Sequence, residues 1–146
     1  MSLLRLMVDF DGLLNPMPDG WFDIGAYKRE PAKGVVKFLI AATEYFDVYI
    51  FGPRSLMFGG IQSIQAAIIL WTTQDVNKET AHELMSVLQF PKEEPAYDVA
   101  INGSGVKWHL TKEQPDPEAI AFITEWQEHL AKEAGRKEKP NVPPIS

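Results

Sequence analysis

Three short apolar runs, each cut off by residues that cannot continue a buried strand, constrain this chain most. Leu3-Leu4-Arg5-Leu6-Met7-Val8 stops at Asp9, Phe46-Asp47-Val48-Tyr49-Ile50-Phe51 stops at Gly52-Pro53, and Tyr97-Asp98-Val99-Ala100-Ile101 stops at Asn102-Gly103. Such runs read as buried strands, and a proline cannot donate to a central ladder. The segments between them have helical apolar spacing. Pro31 suits a first helical position, and Val35, Val36, Phe38, Leu39 and Ala42 then share a face. Gly59-Gly60 precedes a helix faced by Ile61, Ile64, Ile68 and Trp71, and residues 80–88 form a shorter one with Leu84, Val87 and Leu88 apolar. Asp116-Pro117-Glu118 combines an N-cap, a proline at N1 and an acid in the first turn. Ile120, Ile123, Trp126 and Leu130 line the face that follows. Strands alternating with helices predict an α/β fold with a mainly parallel sheet. In such folds ligands bind beyond the carboxyl ends of the strands.

The composition narrows the function. With 146 residues the chain is one domain, expected over 1–134, followed by a charged and proline-rich tail, 135–146, expected to be flexible. Without cysteine it has no disulfide, thiolate metal site or cysteine nucleophile. The longest apolar run, residues 66–71, is far shorter than the ~20 residues that cross a bilayer. Acidic residues come too early for a signal peptide, so a cytoplasmic protein with no membrane partner is expected. The 14 basic side chains against 20 acidic ones leave a net charge of −6. That disfavours sequence-independent nucleic-acid binding. An acidic chain can still handle phosphates if a divalent cation supplies the positive charge.

The residues after each strand are therefore the candidates: Asp9-Phe10-Asp11-Gly12, Gly52-Pro53-Arg54-Ser55 and Asn102-Gly103-Ser104. Asp9 and Asp11, two apart in extended backbone, can point to one side. Two such carboxylates repel unless a cation or a proton lies between them, and Mg²⁺ held by carboxylates and a substrate phosphate meets that need. The chemistry this suits is phosphoryl transfer, with one carboxylate as nucleophile and the other as acid and base. Taken alone, the pair equally fits a strand-edge acid and a turn residue. Gly12 would let the chain turn sharply. Arg54 and Ser55 either contact a phosphate or lie in a solvated turn. The long segment 13–30, punctuated by Pro16, Pro18, Gly20 and Gly25, is expected to be irregular. Trp21 within it either stacks on a substrate or anchors the loop. His82, His109 and His129 have no ligand spacing, and Trp71, Trp108 and Trp126 are expected in or beside the core.

Leu6-Met7-Val8-Asp9-Phe10-Asp11-Gly12-Leu13-Leu14 resembles the first motif of the haloacid dehalogenase-like (HAD) hydrolases. With Gly20-Trp21, residues 31–34 and 46–51, Arg54-Ser55, Gly59-Gly60-Ile61 and Phe90-Pro91, the chain is similar to a small HAD-like group common in tailed bacteriophages and prophages. The likeness spans residues 3–126. It implies a Rossmannoid three-layer sandwich and a Mg²⁺-dependent phosphohydrolase working through an aspartyl-phosphate. Asp9 would be nucleophile and metal ligand; Asp11 would be general acid/base, its carbonyl a second ligand. The short stretch from Asp11 to the first helix leaves no room for a large cap. Three other motifs depart from the family pattern. The phosphate-holding Ser or Thr is Gly52. The lysine position falls on Glu94, with Lys92 two residues away as a substitute phosphate-binding group. The paired acids are Asn102-Gly103, so Asn102 would be the remaining metal ligand. Losing one transition-state donor typically costs ~10²–10³ in rate, so weak activity is expected on a small phosphomonoester, a nucleotide or a nucleic-acid end. The alternative is a catalytically degenerate HAD-like protein that binds a ligand or a protein.

Overall fold

A computed structural model describes residues 3–11, 13–15, 31, 33–102, 105–109 and 116–133. Within them the order is β1 (Leu4–Val8), α1 (Val35–Tyr45), β2 (Phe46–Ile50), a 3₁₀ turn (Pro53–Leu56), α2 (Gly60–Asp75), α3 (Lys78–Val87), β3 (Val99–Asn102), β4 (Gly105–Trp108) and α4 (Pro117–Glu133). The sheet order is β2-β1-β3-β4. β1 runs parallel to both neighbours, with Val8 level with Ile50 and Ile101, and β4 returns antiparallel to β3. The fold is thus α/β with a mostly parallel open sheet.

Local chemistry explains the boundaries. Asn77 caps α3 by accepting the Thr80 N–H at 2.7 Å. Asp116 accepts the Glu118 N–H ahead of Pro117. Gly34 precedes α1 with φ +84°, a left-handed conformation that favours glycine. α1 has no linker to β2: Tyr45 ends the helix and Phe46 begins the strand.

Alternation along the strands separates two faces. Leu6, Val8, Phe46, Val48, Ile50, Val99 and Ile101 are all buried in one core, to which α1, α2, α3 and α4 each contribute. Phe38 of α1 stacks on Trp126 of α4 with centroids 4.4 Å apart, and Tyr45 stacks on Phe122. The opposite face carries Arg5, Met7, Asp47, Tyr49 and Lys107, half-buried or exposed, with Ala100 buried between Met7 and Lys107. Among the described residues the helices therefore cover one face of the sheet, giving two layers. The third layer expected from the sequence is not among them. Trp71 and Trp126 are buried and Trp108 half-buried, as their apolar settings suggested. Gly12, Gly20, Trp21, Gly103, Ser104 and the tail 135–146 lie outside the described residues. No helix among those described is long and apolar enough to cross a membrane.

Candidate functional site

β1 is central, and the chain leaves it toward β2 but later returns to β3 on its other side. The carboxyl end of β1 is thus flanked by connections that diverge, which is where open α/β sheets form their ligand crevice. Asp9 stands there. Its N–H donates to the Ile101 carbonyl at 3.0 Å, and the Phe51 N–H donates to the Val8 carbonyl at 3.0 Å. Asp9, Gly52 and Asn102 accordingly meet at one end of the sheet.

Phe10 turns into the core, where its ring stacks on Trp71 at 5.6 Å. That fixes the residues on either side of it. Asp9 Oδ1 is buried and has no hydrogen-bond partner among the described residues. Burial pushes the Asp9 carboxyl up from 3.8 to about 6; the Phe10 N–H opposes this and the nearby Asp11 charge adds to it.

Asp11 is held differently. Arg54 Nε donates to Oδ2 at 2.8 Å and Nη2 to Oδ1 at 2.7 Å, a bidentate pair. Asn15 Nδ2 donates to Oδ1 at 3.1 Å. The guanidinium is 1% exposed, lies over the Phe10 ring at 5.4 Å and donates from Nη1 to Ser63 Oγ on α2 at 3.1 Å. A buried arginine is tolerable only when paired in this way. The clamp joins the β1 end, the 3₁₀ turn and the first turn of α2.

Gly52 has no room for a side chain. A Cβ there would lie inside van der Waals contact of Asp9 Oδ1, so no side chain fits this position while Asp9 keeps its place. Ser55 instead folds back: its Oγ accepts the Gly52 N–H at 3.2 Å, and its own N–H donates to the Gly52 carbonyl. The turn is buried at Arg54 and Ser55 rather than solvated.

The structure thus brings together Asp9, Asp11, Gly52, Arg54, Ser55 and, by register, Asn102. Lys92 is exposed, follows the parallel Tyr49–Gln89 bridge beside β2 and makes no ion pair among the described residues. Glu94 is also exposed. Two polar partners, Asn15 and Ser63, escaped the sequence reading. Asn15 could have been noticed as an amide following Leu13-Leu14; nothing local marks Ser63.

The donors suit a hard cation that keeps most of its water. Mg²⁺ commonly takes one or two carboxylates and fills its shell with water and phosphate oxygens. The unpartnered Asp9 oxygen, the Asp11 carbonyl and Asn102 would hold it. Among the described residues no three His, Asp or Glu side chains cluster as a metal cage. No family model, curated protein or solved structure matches the chain.

Proposed function

We propose that this chain is a small HAD-like, Mg²⁺-dependent phosphohydrolase of low turnover, acting on a phosphomonoester, a nucleotide or a nucleic-acid end. The observation that carries this reading is the half-buried Asp9 at the carboxyl end of the central strand, with one carboxylate oxygen buried and unpartnered among the described residues. The likeness of residues 6–14 to the first HAD motif supports it. A bound cation would neutralise charge between Asp9 and the phosphate. Asp9 attacks phosphorus, forming an aspartyl-phosphate as the ester oxygen leaves and takes up a proton. Water then attacks the acyl phosphate and restores Asp9, so that ester and water become alcohol and phosphate.

On this reading Asp11 handles the proton, but both its oxygens are engaged by Arg54. Proton transfer therefore requires that pair to open. On this reading the need to open that pair, with no hydroxyl at Gly52, makes the chemistry slow. The same clamp favours a second reading, a degenerate member that binds a phosphorylated ligand or a protein without turnover. Phosphate release with Mg²⁺ across phosphomonoesters, nucleotides and 3′- or 5′-phosphorylated oligonucleotides separates the two. Release that disappears in Asp9→Asn supports hydrolysis. Calorimetric binding without release supports the second reading.

A further inference from the structure

The chain carries no Asp, Glu, Lys, Arg or His from Ser55 to Gln74, in a protein of net charge −6. Much of that segment faces solvent. Leu56 is 67% exposed, Met57 44% and Phe58 100%, on the turn between the 3₁₀ segment and α2. Ahead of the exposed Gln74 and Asp75 that end α2, the helix exposes Gln62, Ala66, Ile69 and Thr73. Their spacing of four, three and four residues puts them in one narrow stripe on the helix.

The apolar turn is not a loose loop. The Met57 N–H donates to the Arg54 carbonyl at 3.1 Å and the Gly60 N–H to the Met57 carbonyl at 2.9 Å. Gly59 takes φ +78°, and a Cβ on Gly60 would collide with the Arg54 carbonyl. Arg54 is in turn clamped to Asp11 and Ser63. A fully exposed phenylalanine is thus presented on a rigid support. Because it projects outward, it suits insertion against another macromolecular surface better than a small-molecule cavity, since such cavities are concave.

We propose that α2 and the turn before it are the contact surface for a second copy of this chain, paired antiparallel about a twofold axis. Three observations select that occupant. First, two copies each carrying −6 repel, and an uncharged stripe is where they approach at least cost. Second, the stripe is self-complementary, as a twofold contact requires. With the axis between Ala67 and Ile68, Ala66 faces Ile69 of the other copy and Gln62 faces Thr73. Phe58 then reaches the other copy's Val76, itself 49% exposed. The small Ala66 leaves room for the branched Ile69. Third, the surface is large enough. A stable interface buries about 800 Å² per partner. A helix of 16 residues, about 24 Å long, with a Leu-Met-Phe turn whose phenylalanine alone offers about 150–250 Å², is of that order. The surface includes the segment that carries Arg54, so pairing would brace the turn behind Asp11.

Sedimentation equilibrium of the full chain tests this. The expected mass is twice 16.4 kDa. Ala66→Arg and Phe58→Glu are expected to sediment as monomers with unchanged circular dichroism. Val87→Glu, at an exposed site on α3, is expected to remain dimeric. Phe58 makes the test independent of folding defects, because its side chain is fully exposed. The absence of native cysteine permits a register test with a short bis-maleimide. Ala66→Cys, beside the axis, is expected to cross-link. Phe58→Cys is not, because its two copies lie about 28 Å apart along the helices. A wild-type chain that is monomeric up to its solubility limit overturns the proposal and leaves the turn to a different partner. So does a dimer that survives Phe58→Glu, or cross-linking at Phe58→Cys and not at Ala66→Cys.

Discussion

Replacing Asp9 by asparagine should stabilise the protein, and the gain should depend on pH. Burial raises the Asp9 carboxyl from 3.8 to about 6. Below pH 4 both the folded and the unfolded chain carry it protonated, so it contributes no difference. Between pH 4 and 6 the folded state holds a proton that the unfolded state releases, and folding weakens as pH rises. Above pH 6 the full penalty is present. Two pH units correspond to about 3 kcal/mol; residual exposure of the residue reduces the expected figure to about 1–2 kcal/mol. Urea unfolding of wild type and Asp9→Asn in EDTA, at pH 4, 5, 6 and 7.5, measures this directly. The two curves should nearly coincide at pH 4, separate through pH 5 and 6, and stay apart at pH 7.5 with the variant more stable. A variant less stable than wild type at pH 7.5, or a gap that does not change with pH, would rule out a burial penalty on the Asp9 charge. The first outcome would mean that the unpartnered oxygen is satisfied; the second, that the gain is not electrostatic.

Other outcomes follow from the same geometry. Arg54→Ala leaves Asp11 without its bidentate partner and should lower unfolding free energy by about 3–5 kcal/mol; Arg54→Lys should rescue little, because an ammonium cannot reproduce the fork. Gly60→Ala drives a methyl into the Arg54 carbonyl and should destabilise by about 1–3 kcal/mol in the same assay. Mg²⁺ at ten times its dissociation constant should raise unfolding free energy by about 1.4 kcal/mol, and the effect should vanish in Asp9→Asn. Gly52→Ser, which introduces a hydroxyl beside Asp9, should reduce rather than increase any phosphate release, since its Cβ displaces Asp9.

The strand ends were legible because burial and termination are both local. An apolar run stopping at Asp9, or at Gly52-Pro53, needs no distant information, and the structure places those residues at one end of the sheet. β4 was missed for the opposite reason. Gly105-Val106-Lys107-Trp108 is short, half-exposed and lies at the sheet edge, so little apolar pattern marks it. The Asn102-Gly103 pair that was read as a stop is also a hairpin signal. Burial of Arg54 was illegible in principle, because its partner Asp11 is 43 residues away. The number of layers was equally out of reach. Helical periodicity shows that α1 and α4 have apolar faces; contacts such as the Phe38–Trp126 and Tyr45–Phe122 stacks show that they lie on the same side of the sheet.

The proposed hydrolysis makes Asp9 a nucleophile toward phosphorus. Its most direct test is intact-mass and peptide mass spectrometry of the protein quenched in acid during incubation with Mg²⁺ and a reactive phosphomonoester. A mass gain of one phosphoryl group is expected, located on Asp9, absent from Asp9→Asn and lost on prolonged incubation without substrate. Phosphate release with no phosphoryl group on Asp9, or release that persists undiminished in Asp9→Asn, would contradict it.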